Sequence, residues 1–239
     1  MLTIRHIYKH FPNWTSKDSF YNNTYCNIIF LEDCTIATNT HQLVLTTNVS
    51  NTVPHLEDTL GIVTDITLEA REHIFIPGSD RFKKLFNLQS VFYRDNIPSI
   101  YFASILKTLK AVKSFTTKRM EHLGVLYSQE NSRLNYFVSN AQISTTAHLM
   151  SKRCSTINCK NWATIVSYDF LVNAFDLLQD IKAKSVDLII GYENDEAHLP
   201  YLKLETEEVQ MITTNAQGMM YKMLEEYFTD TVGMELTRG

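Results

Sequence analysis

The sequence predicts an α+β fold in which helix-then-strands units recur and the strands form antiparallel sheets. Short stretches with apolar residues at spacings of three and four alternate, at least twice, with runs rich in β-branched and aromatic residues. The chain is also large enough for such a design, since 239 residues with 44% hydrophobic content can fill one large core or two ordinary ones. Seven glycines and five prolines leave little material for phosphate-cradling loops, and neither G-x-x-x-x-G-K nor G-x-G-x-x-G occurs, so nucleotide-hydrolysing readings lose their support.

The elements follow in order. Leu2 to His10 reads as a helix that Pro12 stops. Residues 25–31, 35–38 and 42–47 read as strands, divided by the polar turns Glu32-Asp33 and Asn39-Thr40. Strands are also expected over 62–70 and 73–76, with Pro77 at the junction and Ser79-Asp80 capping a helix over 81–88. Tyr93-Arg94-Asp95-Asn96-Ile97-Pro98 reads as a linker. A helix over 99–113 then places Phe102, Ile105, Leu106, Leu109 and Val112 on one side. Strands are expected over 123–128, 133–139, 142–148 and 162–166, followed by a helix over 168–181 with Leu171, Ala174, Phe175, Leu178 and Ile181 inward. Strands over 186–192, 201–205 and 209–213 complete the pattern. A tail helix over 219–228 carries Met219, Met220, Met223, Leu224, Tyr227 and Phe228. It serves either as an adaptable Met-rich partner surface or as a cover for its own sheet.

Two stretches resemble a known family. Ala37-Thr38-Asn39-Thr40-His41-Gln42-Leu43, with Ile76-Pro77 running into a helix, is similar to the middle domain of bacterial DNA sliding clamps, the beta subunit of DNA polymerase III. Asn39, Thr40 and Gln42 stand where that family has an acid, a glycine and an arginine. Lys118-Arg119 through Gly124-Val125-Leu126, and Tyr168 to Leu177 followed by Val186-Asp187-Leu188, resemble its last domain. The resemblance implies a clamp-like fold of repeated βαβββ units with helices on one side of the sheets. It divides the chain into a truncated middle-type domain over 1–97, a last-type domain over 98–215 and a helical extension over 216–239, with the family's first domain missing.

What the resemblance implies chemically is electrostatic rather than catalytic: a processivity or scaffold factor that tethers a polymerase or another partner to duplex DNA without reading its sequence. The cationic side chains offered to phosphate would be Arg5 and Lys9; Arg81, Lys83 and Lys84; and Lys107, Lys110 and Lys113. Taken alone, these residues equally describe solvated helix faces. The partner-peptide cleft would use Thr38, Thr40, His41 and Leu43, then Pro77 and Phe82, then Val209 and Met211, although apolar strand residues are ordinarily core. Two domains per chain imply three chains for the six-domain ring of the family. An alternative is a clamp-derived module that binds peptides or its own kind without encircling DNA. The acidic ridge Asp169, Asn173, Asp176 and Asp180 on the 168–181 helix favours it, because such a ridge repels phosphate.

Other classes find less support. Net charge is -4, which argues against a surface that coats nucleic acid everywhere and leaves room for a local basic face. Cys26, Cys34, Cys154 and Cys159 are too sparse for a disulfide framework and read as reduced thiols. His148, Cys154 and Cys159 come near zinc spacing without a matching second pair, so no metal and no cofactor are expected. No G-x-S-x-G or H-E-x-x-H occurs, and no nucleophile, base and orienting group can be assembled, so the chain is not expected to be an enzyme. No run approaches the ~20 apolar residues of a membrane span, and the N-terminus lacks a secretory signal, so a cytoplasmic location is expected.

Overall fold

The computed structural model describes residues 2–15, 28–30, 34–39, 42–47, 88, 90–116, 122–129, 133–140, 142–151, 161–192, 200–213 and 219–238. The first segment is helix α1 (Ile4–His10), followed by a 3-10 turn over Phe11–Trp14 and strands β1 (Ile29–Phe30), β2 (Cys34–Thr38) and β3 (Gln42–Thr47). After it come β4 (Ser90–Pro98), α2 (Phe102–Ala111), β5 (Leu123–Gln129), β6 (Arg133–Ser139) and β7 (Ser144–Ser151). The same order then repeats as β8 (Trp162–Ser167), α3 (Tyr168–Asp180), β9 (Ser185–Tyr192), β10 (Tyr201–Glu205) and β11 (Val209–Thr213), and α4 (Met219–Val232) closes the chain. The strands expected over 62–76 and the start of the helix over 81–88 lie outside the described residues.

Among the described residues every strand pair is antiparallel, in a seven-stranded sheet ordered β1-β2-β3-β11-β10-β9-β4 and a four-stranded sheet ordered β7-β6-β5-β8. The two βαβββ units exchange their leading strands. β4 of the first unit pairs with β9 of the second, and β8 of the second pairs with β5 of the first. Each sheet therefore holds a strand from the other unit. The rings of Tyr93 on β4 and Trp162 on β8, 4.9 Å apart, tie the two exchanged strands together.

The linker expected over 93–98 is instead the body of β4. Arg94, Asp95 and Asn96 look like turn chemistry in one dimension, yet β4 is an edge strand with Arg94 and Asn96 exposed, where charge and a terminal proline are tolerated. Ile97 supplies the buried contact, at 1% exposure.

Helical periodicity is realised as predicted. Phe102, Ile105, Leu106 and Leu109 of α2, and Leu171, Ala174, Phe175 and Leu178 of α3, are all buried, and Phe102 meets Phe175 edge-on at 5.7 Å. Helices α1, α2 and α3 share one core with both sheets, and α3 packs against both of the others. In the four-stranded sheet, alternate residues serve two cores. Leu126, Tyr136, Val138 and Val166 face the helices, while Val125, Phe137 and Ile165 face the opposite way. α4 covers that second face with Tyr221, Leu224 and Phe228, the last edge-on to Tyr127 and Phe137. Of the tail helix's two sequence readings, this is the one in which it packs on its own sheet. Coverage on both faces explains why β5, β6 and β8 read as nearly unbroken apolar runs.

Candidate nucleic-acid interface

The helical layer carries the cationic residues that the sequence singled out. On α2 the apolar stripe is turned inward, so Lys107 and Lys110 stand on the opposite, exposed side, and Lys113 is exposed in the turn that follows. None of the three forms an ion pair with a described residue. Arg5 of α1 is also exposed, whereas Arg81, Lys83 and Lys84 lie outside the described residues.

Lys9 is occupied. Its ammonium donates to Asp180 Oδ2 at 2.8 Å, and the Nε2 of His10, a residue 2% exposed, meets the same oxygen at 2.8 Å. His10 Nδ1 lies 3.7 Å from Asp176, and Asn173 reaches the Asn13 carbonyl at 3.4 Å. Hydrogen bonds from Lys9 and His10 hold the Asp180 carboxyl down at about 2. Asn173, Asp176 and Asp180 of the expected acidic ridge are therefore the rail on which the N-terminal segment is mounted, and its phosphate-repelling charge is partly neutralised by α1. Beneath this polar joint, Ile7, Phe11 and Trp14 are wholly buried, with Trp14 edge-on to Phe170 of α3 at 5.3 Å. Among the ridge positions only Asp169, at the start of α3, is exposed.

The segment docks a second time through its sheet. β3 pairs with β11 from Gln42–Thr213 to Thr46–Val209, and Thr46 Oγ1 donates to the Glu208 carbonyl at 2.8 Å. This seam decides where the cleft residues stand. Thr38, Leu43, Val209 and Met211 are all buried, at 2%, 0%, 1% and 0% exposure, two in each of the joined strand groups. Thr40, His41, Pro77 and Phe82 lie outside the described residues.

Sequence reading missed a cleft of 620 Å³ at the C-terminal end of α3, bordered by Lys182, Lys184, Asp187, Glu205, Glu207 and Glu208. Its only sequence signal is the charged turn Glu205-Thr206-Glu207-Glu208. On the sheet face nearby, Arg94 binds Asp187 at 2.9 Å and Lys203 binds Glu205 at 3.0 Å. His148 donates to or accepts from Asn135 and Ser151, and Cys154 and Cys159 lie outside the described residues. Among the described residues there is no group of three or more potential metal ligands, and no helix is long and apolar enough to cross a membrane.

No protein-family model matches the chain, and no curated protein matches it. Solved structures do match it in fold. The beta subunit of DNA polymerase from Streptococcus pyogenes superposes with a TM-score of 0.60 at 10% identity, over 90% of this chain and 63% of the other. The DNA polymerase III subunit beta from Pseudomonas aeruginosa gives 0.59 at 9% identity, over 89% and 64%. The DNA polymerase sliding clamp from Bacillus subtilis gives 0.52 at 12% identity, over 89% and 62%. The chain has the sliding-clamp fold and spans less than two thirds of the length of each of these proteins.

Proposed function

We propose that this protein is a clamp-like tether that holds a partner, such as a polymerase, on duplex DNA without reading its sequence, and that it works as a homo-oligomer. The observation that carries the reading is the pair Lys107 and Lys110, exposed and without a described ionic partner, on a helix of a clamp-fold layer. An ammonium in that position meets phosphate as a point charge, and each contact releases condensed counterions from the duplex. Arg5 and Lys113 are further exposed cations that would meet phosphate; Lys9 contributes through the joint instead, where it is paired with Asp180.

The test is retention on duplex DNA. A protein that surrounds its DNA stays on a closed circle and runs off once the circle is cut, while Lys107→Glu with Lys110→Glu shortens retention on both. A chain retained equally by circular and linear DNA refutes encirclement, and indifference to the charge reversal refutes the interface.

A second reading, an interaction module that does not surround DNA, is favoured by the β3–β11 seam. The outer edge of β11 is already filled by the chain's own β3, so it is not open to a strand from another subunit. A chain with no affinity for duplex DNA that still captures its own kind or a partner peptide is the result that this reading predicts.

A further inference from the structure

Strand pairing brings together a hydroxyl, an imidazole and an amide that no short motif of the sequence links. Ser151 Oγ lies 2.7 Å from Nε2 of His148, and Nδ1 of the same ring lies 3.1 Å from Oδ1 of Asn135. His148 and Ser151 belong to the last turn of chain on β7, and Asn135 comes from its partner strand β6. Three residues apart on a regular strand, His148 and Ser151 would leave opposite faces of the sheet. The register shift between Leu134 and Asn135 inserts Leu149 as an extra residue on β7 and turns both side chains to one side. Asn135 stands two residues before Phe137 on β6, so this is the face on which α4 packs. His148 and Ser151 are exposed, while Asn135 is only 6% exposed.

The hydrogen bonds set the direction in which a proton can move. Asn135 Nδ2 donates to the Arg133 carbonyl at 3.3 Å, which leaves Oδ1, an acceptor, turned to the imidazole. In the neutral ring Nδ1 must then carry the proton, and Nε2 presents a lone pair to the Ser151 hydroxyl. A hydroxyl beside a base whose other nitrogen is held by a third group is the arrangement that activates serine as a nucleophile. Arg133 stands opposite Ser151 in the β6–β7 register, so its side chain leaves the same face of the sheet. It is exposed and forms no ion pair with a described residue.

We propose that Ser151, His148 and Asn135 form an acyl-transfer site for carboxylic esters, an activity separate from the tethering function. Ser151 Oγ attacks the ester carbonyl carbon while His148 Nε2 takes its proton, and the Arg133 guanidinium supplies positive charge for the oxyanion that forms. The bond from that carbon to the alcohol oxygen then breaks, the imidazolium returns the proton to the leaving alcohol, and the acyl group stays on Ser151. Water, giving a proton to the same imidazole, attacks the acyl carbon and releases the carboxylic acid and the serine hydroxyl. Asn135 does not touch the substrate and is a positioning residue that holds the ring tautomer. Being uncharged, it supports the imidazolium less than a carboxylate would, so the rate is modest.

The experiment treats the full chain with a fluorophosphonate probe, in which serine oxygen attacks phosphorus, the phosphorus–fluorine bond breaks and fluoride leaves. Mass spectrometry is expected to find the adduct on Ser151, at a rate that rises with pH as the imidazole becomes neutral. Ser151→Ala should abolish that adduct, and His148→Gln should slow its formation about 100-fold. Asn135→Asp keeps an acceptor for the Nδ1 proton and adds a charge that favours the imidazolium, so the rise should move to higher pH. The wild type should also hydrolyse p-nitrophenyl acetate faster than Ser151→Ala does. The proposal is overturned by the absence of an adduct on Ser151, by equal labelling of the wild type and His148→Gln, by a pH profile that Asn135→Asp leaves in place, or by equal ester hydrolysis. Should Asn135→Asp fail to fold, the two variants at exposed positions decide alone. No assay contains DNA, so the outcome is independent of the tethering function.

Discussion

α2 and α3 occupy equivalent places in the two repeated units and bury equivalent apolar stripes, yet their outward faces carry opposite charge. α3 presents Asn173, Asp176 and Asp180: the two aspartates meet Lys9 and His10 of α1, and Asn173 reaches the Asn13 carbonyl in the turn that follows. α2 presents Lys107 and Lys110, which have no ionic partner among the described residues. A repeated scaffold thus fixes where a helix lies, while the residues that packing leaves unconstrained decide whether its outer face becomes an internal joint or an external surface. The Asp176 and Asp180 carboxylates of α3 are paired with α1, whereas the ammonium groups of α2 have no ionic partner among the described residues.

The largest effect is expected where the two helices pack against each other. Phe175→Ala removes the ring that meets Phe102 across the α2–α3 contact and should cost ~3–5 kcal/mol, read by denaturant unfolding. A loss below ~1 kcal/mol would mean that the helices are not packed as one layer. Next comes Gly124→Ala in β5. A methyl there would press on the ring of the buried Tyr136 and stand 2.6 Å from the Phe137 carbonyl, so overpacking should cost ~1–3 kcal/mol. An unchanged melting temperature would contradict that close approach.

Smaller effects sharpen the difference in charge. The Asp180 carboxyl is held at about 2 against an ordinary 3.8, so its stabilisation is complete above the ordinary value and disappears as pH falls through about 2. With the side chain 33% exposed, solvent screening limits the effect, and Asp180→Asn should cost about 1 kcal/mol or less at neutral pH, with the gap from wild type closing as pH approaches 2. A gap that widens on acidification would mean that the joint is not held by the carboxylate. Arg94→Ala, at a surface pair with Asp187 that takes no part in either helix, should stay within ~0.5 kcal/mol in thermal unfolding. A larger loss would give the outer sheet face a structural weight that the account assigns to the helices.

Local pattern carried much of this architecture. The three- and four-residue spacings of 99–113 and 168–181 marked the two central helices and their buried sides, and alternation marked most strands. What local pattern could not carry was pairing across the chain. Arg94-Asp95-Asn96 looked like a linker because nothing in its neighbourhood reveals that Ser185–Tyr192 will lie alongside. Asp176 and Asp180 looked like a surface hostile to phosphate because Lys9 and His10, which seat on them, stand about 170 residues away in sequence. Val209 and Met211 fit a cleft wall and a core strand alike in sequence, and their burial beside β3 follows from a pairing across the chain that local pattern does not carry. The lysines of α2 were legible as outward from periodicity alone, since their position depends only on their own helix.

The salt dependence of duplex-DNA binding reads out whether α2 holds phosphate. Two phosphate contacts from Lys107 and Lys110 predict that the slope of log K against log salt falls in magnitude by about 2 in the Lys107→Ala, Lys110→Ala double variant, with folding stability unchanged. A slope equal to that of the wild type would contradict the account, because α2 would then take no part in holding the duplex.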